Sequence, residues 1–270
     1  MLGSAVTDPS ITSATAGTAV QRPSVGVEEW DTSERVIEPV RGFAFPKIRE
    51  LAQHTDLIYF LARRDIAVRY KQTAVGIVWA VLQPVLFAVV FSVFLGVLAK
   101  VPSGDDVPYP VFAVTGLTLW IMFTTSFSRS SSSLVDSSSI VSKVFFPRII
   151  VPTAAALPPL VDFAFAFIVA LATMLIYGVI PIWRIVLVPA AVLLALMLAL
   201  GAGFWLAALN VKYRDVGLIV PFVVQVGMFA TPIIYPASLV PAGLQALYAL
   251  NPLVGVFELY RWALFADAAP

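Results

Sequence analysis

The sequence contains no cysteine, which excludes disulfides, cysteine-based zinc sites and thiol nucleophiles and leaves the redox compartment unreadable. A single histidine, His54, severely limits imidazole catalysis. Three patterns are absent: Gly-x-x-x-x-Gly-Lys-[Ser/Thr], His-Glu-x-x-His and Gly-x-Ser-x-Gly. The chain therefore has no phosphate-cradling loop of its own and cannot hydrolyse ATP by that route. Charge is also scarce, at 12% of residues against about a quarter in soluble domains. The net charge of +1 is uninformative as a sum, its distribution being what matters, and no nucleic-acid partner is expected.

What is present is apolar: 60% of the 270 residues are hydrophobic and the mean hydropathy is +0.92. From Val75 to Ala99 no residue is charged, a run longer at about 1.5 Å per residue than the roughly 30 Å hydrocarbon layer of a bilayer. The expected fold is an all-α polytopic membrane protein. Further spans are expected at Val111–Phe127, within Ile149–Ile180, at Ile185–Leu209 and at Gly217–Tyr235, five in all. Leu239–Phe265 is interrupted by Pro241, Asn251, Pro252, Glu258 and Arg261. Each half is too short to cross, which predicts a re-entrant helical hairpin.

The remaining segments flank this region. Residues 1–45 are rich in Ser, Thr, Ala and Pro and then acidic, a composition that predicts a disordered tail. They hold no signal peptide, so the N-terminus is expected to stay in the cytoplasm. From Pro46 to Tyr70, apolar residues recur at spacings of three and four among charged ones. This predicts an amphipathic helix on the membrane surface, the alternative being a helix packed on another domain. With the N-terminus inside, only Lys100, Arg184 and Arg261 of the 17 Lys and Arg residues fall on the outer side, as the positive-inside rule asks.

Four groups of residues are candidates for function. Arg63, Arg64, Arg69 and Lys71 precede the first span and can hold a substrate pyrophosphate at the inner leaflet or meet anionic lipid headgroups. Asp162, after Pro158-Pro159, lies either in the bilayer facing a cavity or partner, or at its edge as a solvated cap. It is also the best candidate for an intramembrane enzyme. Ser130–Pro152 reads as a cytoplasmic connection in which Asp136 or Ser137 caps a short helix ended by Pro147, with Ile140, Val141, Val144 and Phe145 on one face. That face suits either a partner protein or the lipid surface. Among the aromatics of the first two spans, Trp120 and Phe123 are the candidates for a substrate pathway, where ring faces can stack on sugars; lipid-interface packing is the alternative.

Five motifs in order then carry a resemblance. They are Arg64-Asp65-Ile66-x-x-Arg69-Tyr70-Lys71-x-Thr73-x-x-Gly76-x-x-Trp79-x-x-x-Gln83-Pro84, Val141-x-Lys143-x-Phe145-Phe146-Pro147-Arg148, Asn210-Val211-Lys212-Tyr213-Arg214-Asp215-Val216, Thr231-Pro232-Ile233-Ile234-Tyr235-Pro236 and Leu250-Asn251-Pro252. Together, from Pro46 to Phe265, they resemble the membrane subunit of type-2 ABC exporters of O-antigen, teichoic acid and related cell-envelope polysaccharides. The resemblance implies a homodimer of six-span subunits in the inner or plasma membrane, with two copies of a separate ATP-binding cassette subunit. That subunit would hold ATP and Mg, this chain having no cofactor, and the cargo would be a lipid-pyrophosphate-linked glycan moved outward. It also implies a cytoplasmic coupling helix over 136–148, including Asp136, Lys143 and Arg148. Residues 46–70 would be a gate helix and 71–270 the permease domain. A final span after the hairpin belongs to the family pattern, and the sequence to Pro270 shows none. The rival readings are a drug or antibiotic efflux permease of the same fold and an intramembrane enzyme acting on lipid-linked sugars.

Overall fold

Apolar runs become helices here because backbone polar groups in lipid must be satisfied within their own segment. The computed structural model describes residues 54–71, 76–103, 107–141 and 146–265. The chain divides into two units, Met1–Ala44 and Phe45–Pro270, and all described residues lie in the second. The expected tail over 1–45 and the start of the expected gate helix, 46–53, lie outside the described residues.

Helix α1 (Thr55–Lys71) precedes α2 (Gly76–Phe91), which continues as a π-helical segment to Leu98. Then come α3 (Tyr109–Asp136), the single turn α4 (Ser138–Val141), α5 (Ile150–Ala156), α6 (Pro158–Ile176), a 3₁₀ turn (Trp183–Leu187) and α7 (Val188–Lys212). Helix α8 (Val216–Phe229), a second 3₁₀ turn (Ala237–Leu239), α9 (Ala242–Ala249) and α10 (Pro252–Leu264) complete the order. The described residues contain no strand.

Four stretches are long and apolar enough to cross a membrane: Val81–Leu98, Tyr109–Asp136, Ile150–Ile176 and Trp183–Lys212. They match four of the five expected spans. The fifth differs. Gly217–Tyr235 is apolar throughout, yet α8 stops after 14 residues at Phe229, about 21 Å of helix. Pro232 lacks an N–H and disfavours helix at Thr231 before it, so the chain turns. Thr231, Ile233 and Ile234 then bury against the bundle.

Helix α3 is central to the second unit and packs against α2, α5, α6, α7, α8 and α10. It also runs past the expected end at Phe127, so that Ser130, Ser131 and Ser133 are buried helix rather than connection. Serine is accommodated because its hydroxyl can bond back along the helix, as Ser131 and Ser133 do to the carbonyls of Ser128 and Ser130, both at 2.8 Å. The small side chains let α7 come close with its own stripe of Ala191, Ala195, Ala199, Gly203 and Ala207, the small-residue packing of membrane helices.

The connection after α6 is a Schellman turn: Gly178 at φ +76° lets its N–H reach Leu175 O and the Val179 N–H reach Met174 O. The segment expected as a hairpin is two short helices, of 8 and 13 residues, joined at Leu250-Asn251. Asn251 caps α10 by accepting from the Leu253 N–H at 3.1 Å. Helix α10 buries Val254, Phe257, Tyr260 and Leu264. It packs on α7 and the 183–187 turn, and Arg184 stacks over the Trp262 ring. The hairpin thus occupies the same end of the bundle as the start of α3.

Candidate functional site

At the opposite end, α1 is held in two ways. Its first half buries Ile58 and Leu61 against Ile150 and Ala154, with Leu57, Phe146 and Leu157 around them. Beyond Ala62 no α1 residue is buried, and charge takes over. Asp65 is placed between Arg64 at 2.8 Å and Arg129 of α3 at 3.5 Å, while the Arg129 Nε donates to Ala155 O at 3.1 Å. One turn further on, Arg69 Nη1 lies 2.7 Å from Asp162 Oδ2. The Tyr70 hydroxyl donates to the other oxygen, Asp162 Oδ1, at 2.5 Å.

Asp162 is therefore not a solvated cap but faces a partner and a cleft, the other of the two expected settings. It sits in the second turn of α6, with its side chain 13% exposed, in a two-donor cradle supplied by adjacent residues of α1. Burial, and then the bond to Asp162, pushes the Tyr70 phenol above its ordinary range, so the phenol keeps its proton and acts as the donor. A cleft opens beside this carboxylate, lined by Arg69, Gln83, Thr118, Thr125, Asp162 and Phe163 among others. It joins α1 to the first three expected spans.

The basic residues chosen from the sequence separate into two kinds. Arg64 and Arg69 are engaged by Asp65 and Asp162, whereas the side chains of Arg63 and Lys71 are exposed. Trp120 and Phe123 are brought together, ring centroids 5.6 Å apart, but both are buried in the protomer. Trp120 also meets Phe257 of α10 and lies against Gly227 of α8, where an added Cβ would stand 3.2 Å from the indole.

In the expected coupling segment, Asp136 ends α3 and accepts from Ser132 at 2.7 Å rather than starting a new helix. Ile140 and Val141 belong to α4, and Arg148 lies just before α5. Lys143, Val144 and Phe145 lie outside the described residues.

Two positions were missed as sites. Arg129 reads in sequence as one more cytoplasmic cation, but it braces α1 against α3 and α5. Arg261 reads only as an interruption of an apolar stretch. It is buried, stacks 3.8 Å over the Phe112 ring and donates to Ile233 O at 2.9 Å. Its signal was available, since a charge within an apolar helix is costly unless paired.

Residues 56–265 match the family model described as ABC-2 type transporter. The chain is 31% identical over 226 residues to the O-antigen export system permease protein RfbA of Myxococcus xanthus, covering 83% of this chain and 85% of that one. It is 26% identical over 210 residues to RfbA of Klebsiella pneumoniae, 76% and 79% of the two chains. Identity is 22% over 204 residues to the polysialic acid transport protein KpsM of Escherichia coli, 74% and 78% of the two chains.

Proposed function

This chain belongs to the ABC-2 type transporter family, and from that premise we propose that it is the permease subunit of an ATP-driven exporter of a lipid-linked polysaccharide. The observation that carries the reading is the match to O-antigen export permeases over nearly the whole described region. The polysaccharide transport relative points to the same cargo class.

In this reading the chain is a multi-pass protein with its N-terminus in the cytoplasm, acting as a homodimer with two copies of an ATP-binding subunit that holds ATP and Mg. Residues 136–148 couple the two subunits, α1 gates the inner mouth, and the basic run at its end meets the pyrophosphate headgroup or anionic lipid. The exposed faces of α2 and α8, with Trp79, Phe87, Phe94, Leu218 and Phe222, are apolar surface for lipid or the second copy. What supports this reading is that α1 packs on α5, while α10 packs on the 183–187 turn.

The test is ATP hydrolysis by the reconstituted pair. Lipid-linked O-antigen-type glycans are expected to stimulate it and to accumulate on the far side of the vesicle membrane. Stimulation by small hydrophobic drugs with no response to any glycan lipid would favour efflux and overturn the cargo assignment.

A further inference from the structure

We propose that Arg69 and Tyr70 form a binding site for a phosphate or pyrophosphate headgroup, with Asp162 acting as its internal occupant, so that exchange of one anion for the other frees the second half of α1. The geometry comes first. Two adjacent donors each take a different oxygen of one carboxylate, at 2.7 and 2.5 Å, and a phosphate presents the same pair of oxygens to the same pair of donors. The guanidinium and a protonated phenol are suited to this, since neither gives up its proton near neutral pH.

The second observation is how α1 is fastened. Its first half is anchored by buried apolar side chains, which water opposes releasing. Its second half buries none and is held by Asp65–Arg129 and Asp162–Arg69 ion pairs. Letting go of that half uncovers little apolar surface, and an incoming anion restores the pairing that Asp162 gives up. Asp162 and a phosphate cannot share Arg69 without like charges meeting, so the outcome is exchange and not joint occupancy. The cleft at Asp162 supplies Gln83 and Thr125 as further polar side chains. The site rests on the proposed reading of the basic run at the end of α1 as a headgroup contact, but its geometry does not require the cargo to be a glycan.

Because the sequence has no cysteine, Val68→Cys carries a single nitroxide on the half to be released; Val68 is 52% exposed. The intact chain would be placed in nanodiscs of phosphatidylcholine alone, with phosphatidic acid added, or with a polyprenyl pyrophosphate added. In phosphatidylcholine most spins should be immobile, and in the presence of a phosphate lipid most should be mobile. Release by both lipids marks a general phosphate site, and release by the pyrophosphate alone marks a pyrophosphate site; either supports the proposal. Asp162→Asn should be mobile in all three membranes. The double exchange Arg69→Asp with Asp162→Arg should be immobile in all three, because the pair is restored while the anion site is reversed. A wild-type spectrum that no phosphate lipid changes overturns the proposal, as does an exchanged pair that answers phosphate as the wild type does. The second arm decides even if Asp162→Asn fails to fold.

Discussion

At Gly203 a single missing methyl sets the distance between two helices. A Cβ there would lie 2.5 Å from Ser130 Oγ and 2.7 Å from Ser130 Cβ, closer than atoms tolerate, and both partners are helix interior with little freedom to move. Gly203→Ala is therefore expected to lower stability by about 1–3 kcal/mol, the usual cost of overpacking. The Ser130 hydroxyl is buried and finds no hydrogen-bond partner among the described residues, so Ser130→Ala is expected to leave stability unchanged or raise it. Thermal midpoints of the two variants in detergent check both signs, and a fall for Ser130→Ala would show that the hydroxyl is engaged. These residues also show the limit of reading composition. A serine-rich run looks like a connection when polarity is averaged along the chain, yet serine's small volume and back-bonding suit it to a helix packed against alanine and glycine. The same averaging hid Asp162. Sequence left it either facing a partner in the bilayer or capped at the edge, because its partners are 93 and 92 residues away at Arg69 and Tyr70 and nothing local announces them.

Elements whose length is set by uninterrupted hydrophobicity were legible: α2, α6 and α7 followed their apolar runs, whereas α3 ran on past its own through the serines to Asp136. Elements whose ends are set by backbone chemistry were less so. The turn at Thr231-Pro232 was visible as a proline, but its consequence was not, because it depends on what receives the chain. Gly116 makes the reception possible: a Cβ there would stand 2.7 Å from Ile233 O. Tyr109 donates to Ile234 O and Asn251 to Ala230 O, at 2.5 and 2.9 Å, so the non-helical backbone has partners within the protein, as membrane depth demands. The proposed coupling segment over 136–148 carries the prediction at this scale. If Val144 and Phe145 enter a groove of the ATP-binding subunit, each contributes roughly 1.5–3 kcal/mol of apolar burial, an upper figure because the free subunit keeps some contact. Replacing both by Asp should abolish recovery of the ATP-binding subunit with the permease from detergent, while insertion persists because no span is altered. Unchanged recovery would remove the coupling role from this segment.

Within the Phe45–Pro270 unit, the 28 residues of α3 rise about 42 Å, more than the hydrocarbon layer is thick. Tyr109 and Ser138 must then lie on opposite sides of any membrane that α3 crosses. The charges say which side is which. Of the cations among the described residues, Arg63, Arg64, Arg69, Lys71, Arg129 and Arg148 gather at the α1 end, and Lys212 and Arg214 return there after α7. The far end holds Lys100, Arg184 and Arg261, with Arg184 over Trp262 and Arg261 over Phe112. Single cysteines at Gly104 and Ser138, in a chain that has none of its own, should therefore react from opposite faces, Gly104 from outside and Ser138 from the cytoplasm. Gly243, in the hairpin that packs on the 183–187 turn, should behave as Gly104 does. Labelling of Gly243 from the cytoplasm would mean that α8, short as it is, fails to carry the chain across. The hairpin would then have to reach the α1 end, against the contacts of α10 with Phe112 and Arg184 that place it with the start of α3.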